Sequence, residues 1–230
     1  MMRPVYLHAR CELKPGDPEP DYRSLFSVME ARRMGRLLKR AVWTSTQALK
    51  QAGIAVPDAV VIGTDFGCIE NSESFLKALK GIDDAPLRPT HFMQSTHNTI
   101  ASLIAIRLGC HGYNATYSHR GRSFESAFQD AWTQIALGDI DTALVGWFDE
   151  MTPALAESLR QQGIEPKEHA LAVVLSANPE GALLSFPEGP WTFKGISYPK
   201  ISSSVTCCTG PSVLRKSISR SVGSPRMAYT

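Results

Sequence analysis

Apolar residues follow two different spacings along the chain up to about residue 180, and the two spacings alternate. Short apolar runs predict buried strands, whereas apolar residues three and four positions apart predict helices. The alternation of strands with long helices favours a layered α/β domain. The predicted strands cover residues 5–9, 59–63, 113–118, 142–147 and 171–175, and the predicted helices cover residues 34–51, 71–79, 99–108 and 123–137.

Glycine and proline mark the predicted connections between these elements. Gly53 is expected to end the helix before it. The proline-rich and acidic residues 14–22 predict an exposed loop, and Pro86 and Pro89 predict a second loop. Residues 154–162 are predicted to form a loop or a short helix.

The pattern weakens towards the end of the chain, which predicts two parts of different character. Residues 1–180 are predicted to form the α/β domain, and residues 181–230 are predicted to form an extension. Within the extension, residues 201–206 would be an edge strand or a linker, and the basic, serine-rich residues 212–230 would be a tail.

Composition limits the classes of function that need to be considered. The chain has 230 residues, of which 43% are hydrophobic and 20% are charged, as expected for one sizeable globular domain. A formal net charge of +2 without a Lys/Arg stripe argues against nucleic-acid binding. No apolar run is long enough to span a bilayer and no secretory signal is expected, so the expected location is the cytoplasm.

The five cysteines do not have the spacing of a disulfide framework or a metal site. Cys110 and His111 are the only close Cys/His pair, and their position after a predicted helix favours an ordinary turn. The sequence therefore predicts neither a metal ion nor another cofactor.

The most informative segment is a strand, a tight turn and a helix at residues 112–127. Many α/β enzymes hold a nucleophile at the tip of such a turn, where it faces a helix N-terminus. Here Gly121 occupies the tip, between Arg120 and Arg122, and it has no side chain that could attack a substrate. The segment thus predicts the geometry of an acyl-transfer site without its reactive atom.

This segment resembles the active-site segment of the β-ketoacyl synthases, condensing enzymes of the thiolase fold. Gly112 and Asn114 match the family's strand, and Ser118 matches the serine that precedes its catalytic cysteine, which places Gly121 at the cysteine position. Further blocks in the family's order lie at residues 32–53, 60–67, 92–109 and 138–146.

The resemblance implies half of a thiolase-like fold, with layers of helices around a mixed five-stranded sheet. Family members are pseudo-duplicated, with the cysteine in one half and two histidines and a lysine in the other. The chain matches the cysteine-bearing half, and its last histidine is His169. The resemblance therefore implies that both the nucleophile and the decarboxylation machinery are missing.

Within this family, the chain is most similar to the shortened chain length factors of aryl-polyene and flexirubin-type pathways. The resemblance implies a non-catalytic subunit that pairs with an active β-ketoacyl synthase as a heterodimer or heterotetramer and meets acyl carrier protein through that complex. The strand would supply the partner interface, and bulky residues after a later strand would line the tunnel for the growing chain. These residues are Tyr113, Asn114, Thr116 and Tyr117 for the interface, and Trp147 and Phe148 for the tunnel wall.

Two other interpretations remain open from the residues themselves. An acyltransferase or thioesterase could use Ser118 or Ser123 with His119, although neighbours on a strand point to opposite faces. The structural interpretation is that Ser118 bonds the turn, Ser123 caps the helix and His119 is partly buried or lies at an interface. A scaffold that binds acyl carrier protein through the basic tail is the second alternative.

Two further expectations concern the arginines at the turn and the apolar residues before it. Arg120 and Arg122 are expected to be solvated or to pair at an interface, and the alternative is an anion site beside the helix N-terminus. Residues 91–118 are expected to expose apolar surface when the chain is alone.

Overall fold

The computed structural model describes residues 2–81, 87–119 and 121–184, together with the backbone of residues 190–193 and 196–199. Strands and helices alternate through most of this range. The strands are β1 (Tyr6–Glu12), β2 (Ala59–Gly63), β3 (Tyr113–Tyr117), β4 (Thr142–Asp149), β5 (His169–Ser176), β6 (Ala182–Leu183), β7 (Pro190–Phe193) and β8 (Ile196–Pro199). The helices are α1 (Val28–Arg33), α2 (Arg36–Ala52), α3 (Ile69–Leu79), α4 (Pro89–Met93), α5 (Thr99–Leu108), α6 (Ser123–Leu137) and α7 (Pro153–Gln161).

Six of the strands form one mixed sheet in the order β3-β2-β4-β5-β1-β6. The pairs β2–β3 and β2–β4 are parallel, whereas β5 pairs antiparallel with β4 and β1. All five residues of β2 are buried, as expected for a strand between two neighbours and covered on both faces. Strand β3 therefore lies at one edge of the sheet.

Helices cover both faces of the sheet and enclose two apolar clusters. Helices α2 and α5 pack on one face, where Leu38, Ile62 and Phe148 are among the buried residues. Helix α6 packs on the other face, where Val61, Val145 and Ile135 are buried. This arrangement confirms the predicted layered α/β architecture, since successive side chains of a strand enter opposite layers.

The structure corrects the prediction in its shorter elements. The sheet has six strands rather than five, because the two-residue strand β6 pairs with β1. Pro89 begins the short helix α4 instead of lying in a loop, as a proline at the first helical position can. Helix α1 was not predicted, and residues 154–162, predicted as a loop or a short helix, lie almost entirely in helix α7.

The predicted extension is only partly described. Because β6 belongs to the main sheet, that sheet continues beyond residue 180, and β7 and β8 form a separate antiparallel pair. The segments predicted at residues 201–206 and 212–230 lie outside the described residues. Among the described helices, none combines the length and apolar character that crossing a membrane requires.

Candidate functional site

A strand, a turn and a helix follow one another at β3 and α6, in the order that the sequence predicts. Strand β3 ends at Tyr117, and helix α6 begins at Ser123 with Arg122 as its N-cap residue. Gly121 lies between them with φ of +77°, a left-handed conformation that favours glycine. Apart from the neighbours in the chain, no described residue would have a heavy atom within 4 Å of a Cβ atom at this position, so the tip of the turn is open on that side.

Strand β2 approaches the N-terminus of α6 very closely. A Cβ atom on Gly63, the last residue of β2, would lie 2.4 Å from the carbonyl oxygen of Ser123 and 2.6 Å from the backbone nitrogen of Phe124. Only a glycine leaves room for this contact. The position of α6 therefore depends on β2 as well as on its own turn.

A carboxylate from the loop after β2 satisfies the polar groups of the turn. Asp65 Oδ1 accepts hydrogen bonds from the backbone N–H of Gly121 at 2.9 Å and from the hydroxyl of Ser123. Ser123 Oγ in turn accepts a bond from the backbone N–H of His119 at 2.8 Å. The turn is thus bonded to a loop 56 residues earlier in the chain.

Ser123 is not the helix cap that the sequence predicts. It is the first helical residue and it is 1% exposed, while its hydroxyl bonds Asp65 and the backbone of His119. Arg122 is the N-cap, and its side chain makes no capping hydrogen bond. The capping prediction failed because the Ser123 hydroxyl is bonded to Asp65 and to the backbone N–H of His119, and not to an N–H in the first turn of the helix.

The structure does not bring the predicted Ser–His pairs together. Ser118 is exposed, and its hydroxyl has a long bond of 3.5 Å to the carbonyl oxygen of Asp65. His119 is exposed rather than partly buried, and its Nδ1 atom lies 3.2 Å from the hydroxyl of Ser126. Ser123 faces Asp65.

The two arginines that flank Gly121 in the sequence are described only in part. Arg120 lies outside the described residues. Arg122 is exposed, and its backbone N–H donates to the carbonyl oxygen of His119 at 2.8 Å.

A buried acid, which the sequence reasoning missed, supports the loop that carries Asp65. Asp149, at the end of β4, accepts bonds from the hydroxyl of Thr64 at 2.8 Å and from the backbone N–H groups of Asp65 and Phe66, both at 2.9 Å. Asp149 is 2% exposed, and burial raises its pKa to about 6. The parallel pairing of β2 with β4 brings these residues together at the carboxyl ends of both strands.

The next residue, Glu150, is also buried and acidic. Its Oε1 atom accepts a bond from the backbone N–H of Glu70 at 3.0 Å, in the first turn of α3. Burial raises the pKa of Glu150 to about 7, and the negative charges of Glu70 and Glu168 add to this effect. Asp149 and Glu150 therefore hold both ends of the segment between β2 and α3.

Strand β3 presents an unpaired backbone edge, since no described strand pairs with its outer side. Its predicted interface residues point in two directions. Tyr113 and Tyr117 lie near Asp130 of α6, and burial together with this negative charge raises the pKa of both phenols. Asn114 donates a side-chain bond to the carbonyl oxygen of Ala101 in α5 at 3.1 Å. Within the described residues, the buried hydroxyl of Thr116 has no hydrogen-bond partner.

Large apolar side chains are exposed on the elements that precede β3 and at its start. Phe92 and Met93 of α4 are 59% and 71% exposed, Ile106 of α5 is 77% exposed, and Tyr113 is 40% exposed. All four lie within the segment expected to expose apolar surface. Such exposure is typical of a surface that contacts another protein.

The residues predicted for a tunnel wall, Trp147 and Phe148, lie on opposite faces of β4. Phe148 is 0% exposed in the layer of α2 and α5. Trp147 is half-buried on the α6 side, where its indole stacks on Phe124 with ring centroids 5.5 Å apart. Because successive strand residues point to opposite faces, one continuous wall cannot be formed by both side chains.

Within the described residues, no group of three or more His, Cys, Asp or Glu side chains has an arrangement that could hold a metal ion. Cys68 and Cys110 are buried, and burial raises the pKa of the Cys68 thiol to about 12. A thiol with that pKa carries almost no thiolate at neutral pH and is a poor nucleophile.

Comparison with solved structures defines the class of fold. One chain of the complex of the ketosynthase ApeO with its chain length factor ApeC from Xenorhabdus doucetiae matches with a TM-score of 0.61 and 19% identity, over 75% of this chain and 79% of that chain. The ishigamide ketosynthase/chain length factor matches with a TM-score of 0.62 and 16% identity, over 76% of this chain and 59% of that chain.

A third solved structure shows the same fold. The complex AntDE:AntF, a type II PKS acyl-carrier protein with its ketosynthase bound to the hexaketide, matches with a TM-score of 0.64 and 14% identity, over 76% of this chain and 63% of that chain. This chain therefore has a thiolase-like α/β fold and spans about three fifths of the length of two of these three relatives.

The family model described as "Beta-ketoacyl synthase, N-terminal domain" matches residues 8–189. The chain belongs to this family. Comparison with curated proteins gives no significant match.

Proposed function

We propose that this chain is a non-catalytic subunit, similar to a chain length factor, that pairs with an active β-ketoacyl–acyl-carrier-protein synthase. The pair would act in the cytoplasm, in aryl-polyene or related polyketide or fatty-acid-type biosynthesis. One observation carries the proposal: the tip of the strand–turn–helix is Gly121, whose N–H is bonded to Asp65 and which has no side chain.

A condensing reaction needs a thiolate that holds the acyl chain, and hydrogen-bond donors that stabilise the oxyanion formed on its carbonyl group. None of the three described cysteines lies on the turn, because Cys11 is in β1, Cys68 precedes α3 and Cys110 follows α5. The serines of the turn are no substitute, since Ser123 is buried against Asp65, and the hydroxyl of Ser118 points to the carbonyl oxygen of Asp65 while the His119 imidazole contacts Ser126.

The open edge of β3 and the exposed apolar residues before it support pairing with a partner. An obligate interface is large and apolar, and an unpaired strand edge can add a strand from another chain. Two of the solved relatives are described as ketosynthases with a chain length factor, and one as a ketosynthase with its acyl-carrier protein. We infer that β3 pairs antiparallel with its counterpart in the partner, and that carrier protein meets the complex rather than this chain alone.

The proposed mechanism is physical: the subunit limits the length of the product by the wall that it contributes to the partner's tunnel. Of the two bulky residues predicted for this wall, Trp147 is the one that we retain. Its ring is half-buried on the same face as α6, whose N-terminus carries the turn. Phe148 would act only through the core packing that supports β4.

Co-expression with candidate β-ketoacyl synthases from the same genome tests the pairing. We expect one of them to co-purify with this chain in a fixed stoichiometry and to make product of defined length only as the pair. If each synthase purifies alone and has the same activity and product length without this chain, the proposal is wrong.

Incubation of the isolated chain with malonyl- and acyl-carrier-protein thioesters tests the absence of catalysis. We expect neither condensation nor a covalent acyl adduct, as judged by intact-protein mass spectrometry. An adduct that maps to Ser118 or Ser123 and disappears in the matching Ser→Ala variant would instead support an acyltransferase or thioesterase.

A further inference from the structure

Asp65 is held in place from both sides. Its own backbone N–H is bonded to Asp149 Oδ1 at 2.9 Å, which fixes the loop after β2 on the end of β4. Its carboxylate accepts bonds from the N–H of Gly121 at 2.9 Å and from the hydroxyl of Ser123. A negative charge is therefore fixed against the tip of the turn.

The tip is where an acyl-transfer site would need the opposite arrangement. Negative charge develops on the carbonyl oxygen of a thioester when it is attacked, and backbone N–H groups near a helix N-terminus stabilise that charge. Gly121 has a single N–H, and Asp65 already occupies it. The Asp65 carboxylate would also repel both a thiolate and a developing oxyanion.

We propose that Asp65 is an internal anion that keeps this turn closed to a reacting thioester, independently of the missing thiol. The inference rests on the proposed non-catalytic function and adds a second cause for it. Asp65 therefore acts on the turn and does not contact a substrate itself. Restoring a cysteine at position 121 would then not be enough to restore a reactive site.

The structure allows this to be tested with a cysteine at the tip. Apart from the neighbours in the chain, no described residue has a heavy atom within 4 Å of a Cβ atom on Gly121, although the left-handed backbone is unfavourable for a residue other than glycine. Among the described residues, the charged or titratable groups around the tip are His119 and Arg122 on the turn, Glu125 in the first turn of α6, and Asp65 and Asp149 below it, whereas Arg120 lies outside the described residues. Of these, Asp65 alone is bonded to the N–H of residue 121.

The first experiment compares the full-length variants Gly121→Cys and Gly121→Cys/Asp65→Asn. An asparagine keeps one acceptor oxygen and nearly the same shape, and it removes the charge. Alkylation by the neutral reagent iodoacetamide is followed from pH 5 to pH 10, and the adduct is quantified on the chymotryptic peptide of residues 118–124, which contains no other cysteine. We expect the double variant to react about tenfold faster at neutral pH, because its thiol pKa is lower.

The matched control is Gly121→Cys/Asp139→Asn, which removes the same charge beyond the other end of α6. It should alkylate at the rate of Gly121→Cys within about a factor of two, since the charge is about 20 Å away along the helix. Equal pH profiles with and without the Asp65 charge would overturn the proposal. So would an equal effect of the two Asp→Asn changes.

A second measurement needs no cysteine and remains decisive if the cysteine variants do not fold. Hydrogen exchange of the Gly121 amide is compared in the native sequence and in Asp65→Ala. We expect exchange to be about tenfold faster in Asp65→Ala, with the amides of Ala127 and Phe128 in the middle of α6 unchanged. An unchanged rate at Gly121 would show that Asp65 does not occupy this N–H.

These outcomes are separable from those of the proposed function. The thiol titration and the exchange experiment use the chain without a partner enzyme, so they do not depend on pairing. If the chain fails to pair with any synthase, the proposed function is wrong, whereas the position of the Asp65 charge is judged only by these two measurements.

Discussion

The indole ring of Trp147 stacks on the imidazole ring of His169, with ring centroids 3.5 Å apart and 16° between the ring planes. Phe124 stacks on the same indole from α6. The indole N–H donates to Asp149 Oδ2 at 3.1 Å, which fixes the orientation of the ring. Trp147 thereby joins β4, β5 and α6 next to the acid that supports the turn.

Replacing Trp147 by alanine should therefore have two effects. The free energy of unfolding should fall by about 2–3 kcal/mol, because a large, half-buried ring and its stacking contacts are lost. In the complex with a synthase, the mean product should become longer, because the wall is trimmed. Urea unfolding measures the first effect and mass spectrometry of the products measures the second.

Two control variants separate these effects. Trp147→Phe keeps an aromatic ring between Phe124 and His169 and should change product length much less. Phe148→Leu acts on the opposite face of β4 and should lower stability by about 1 kcal/mol with no change in product length. Products of unchanged length from the Trp147→Ala complex would remove Trp147 from the proposed wall.

Glycines 63 and 121 should respond differently to alanine. Gly63→Ala places a methyl group 2.4 Å from the carbonyl oxygen of Ser123, so β2 and α6 must separate. We expect a loss of about 3 kcal/mol. In the part of the chain that the structure describes, the methyl group of Gly121→Ala meets no atom within 4 Å beyond its chain neighbours, so the variant carries only the cost of its left-handed backbone, about 1–2 kcal/mol.

Thermal and urea unfolding of the two variants provide the measurement. The near-ultraviolet circular dichroism of Gly63→Ala should also change, since Phe124 and the neighbouring Trp147 move with α6. An equal loss in both variants would mean that the close approach of β2 to α6 does not determine where the turn lies.

The longer elements could be predicted because their apolar patterns report burial directly. The predicted bounds of β2, α5 and α6 agree with the structure, because each is an apolar or amphipathic run that ends at a glycine or just before one. The two short helices escaped prediction. Helix α1 has a capping box formed by Ser27 and Glu30, but only six residues follow the cap, too few for a periodic pattern.

The site was predictable only in part. The sequence places Gly121 at the tip of a strand–turn–helix, and the structure has it there. The partnership of Gly121 with Asp65, and of Asp65 with Asp149, spans 56 and 84 residues and depends on how β2 pairs with β3 and β4. No local spacing reveals such contacts. The opposite directions of Trp147 and Phe148, in contrast, follow from strand alternation alone.

Glu150 should make the stability of the protein depend on pH. Its pKa is about 7 in the folded chain, above the ordinary value of 4.5, because it is buried. Between these two values the folded state binds more protons than the unfolded state, so the free energy of unfolding falls as pH rises from about 4.5 to 7. Glu150→Gln keeps the acceptor for Glu70 and should remove this contribution.

We expect Glu150→Gln to be more stable than the native sequence at pH 8, by on the order of 2 kcal/mol, and to differ little from it at pH 4.5. Urea unfolding at a series of pH values measures the difference. Glu157→Gln, an exposed change on α7, is the control and should show no such trend. A stability difference that does not grow between pH 4.5 and pH 8 would mean that burial does not raise the pKa of Glu150.

The open edge of β3 offers a sharp test of pairing. Tyr113 donates its N–H to Asp58 at 3.0 Å, and Tyr117 accepts at its carbonyl oxygen from Thr64 at 2.9 Å, so the peptide groups of these residues face β2. Because peptide groups alternate in direction along a strand, the N–H of Thr116 faces the open edge. Thr116→Pro would remove that outward donor without removing a hydrogen bond to β2, which an edge strand tolerates.

We expect Thr116→Pro to fold with a loss of no more than about 1 kcal/mol and to bind its synthase at least about tenfold more weakly, because the proline ring blocks an incoming strand. Thr116→Val is the matched control: it keeps the N–H and removes a buried hydroxyl that has no partner among the described residues. Its binding should equal that of the native chain. Co-purification and titration calorimetry compare the three proteins. If Thr116→Pro binds as tightly as Thr116→Val, the partner does not add a strand to β3, and the exposed apolar residues Phe92, Met93 and Ile106 become the surface to test next.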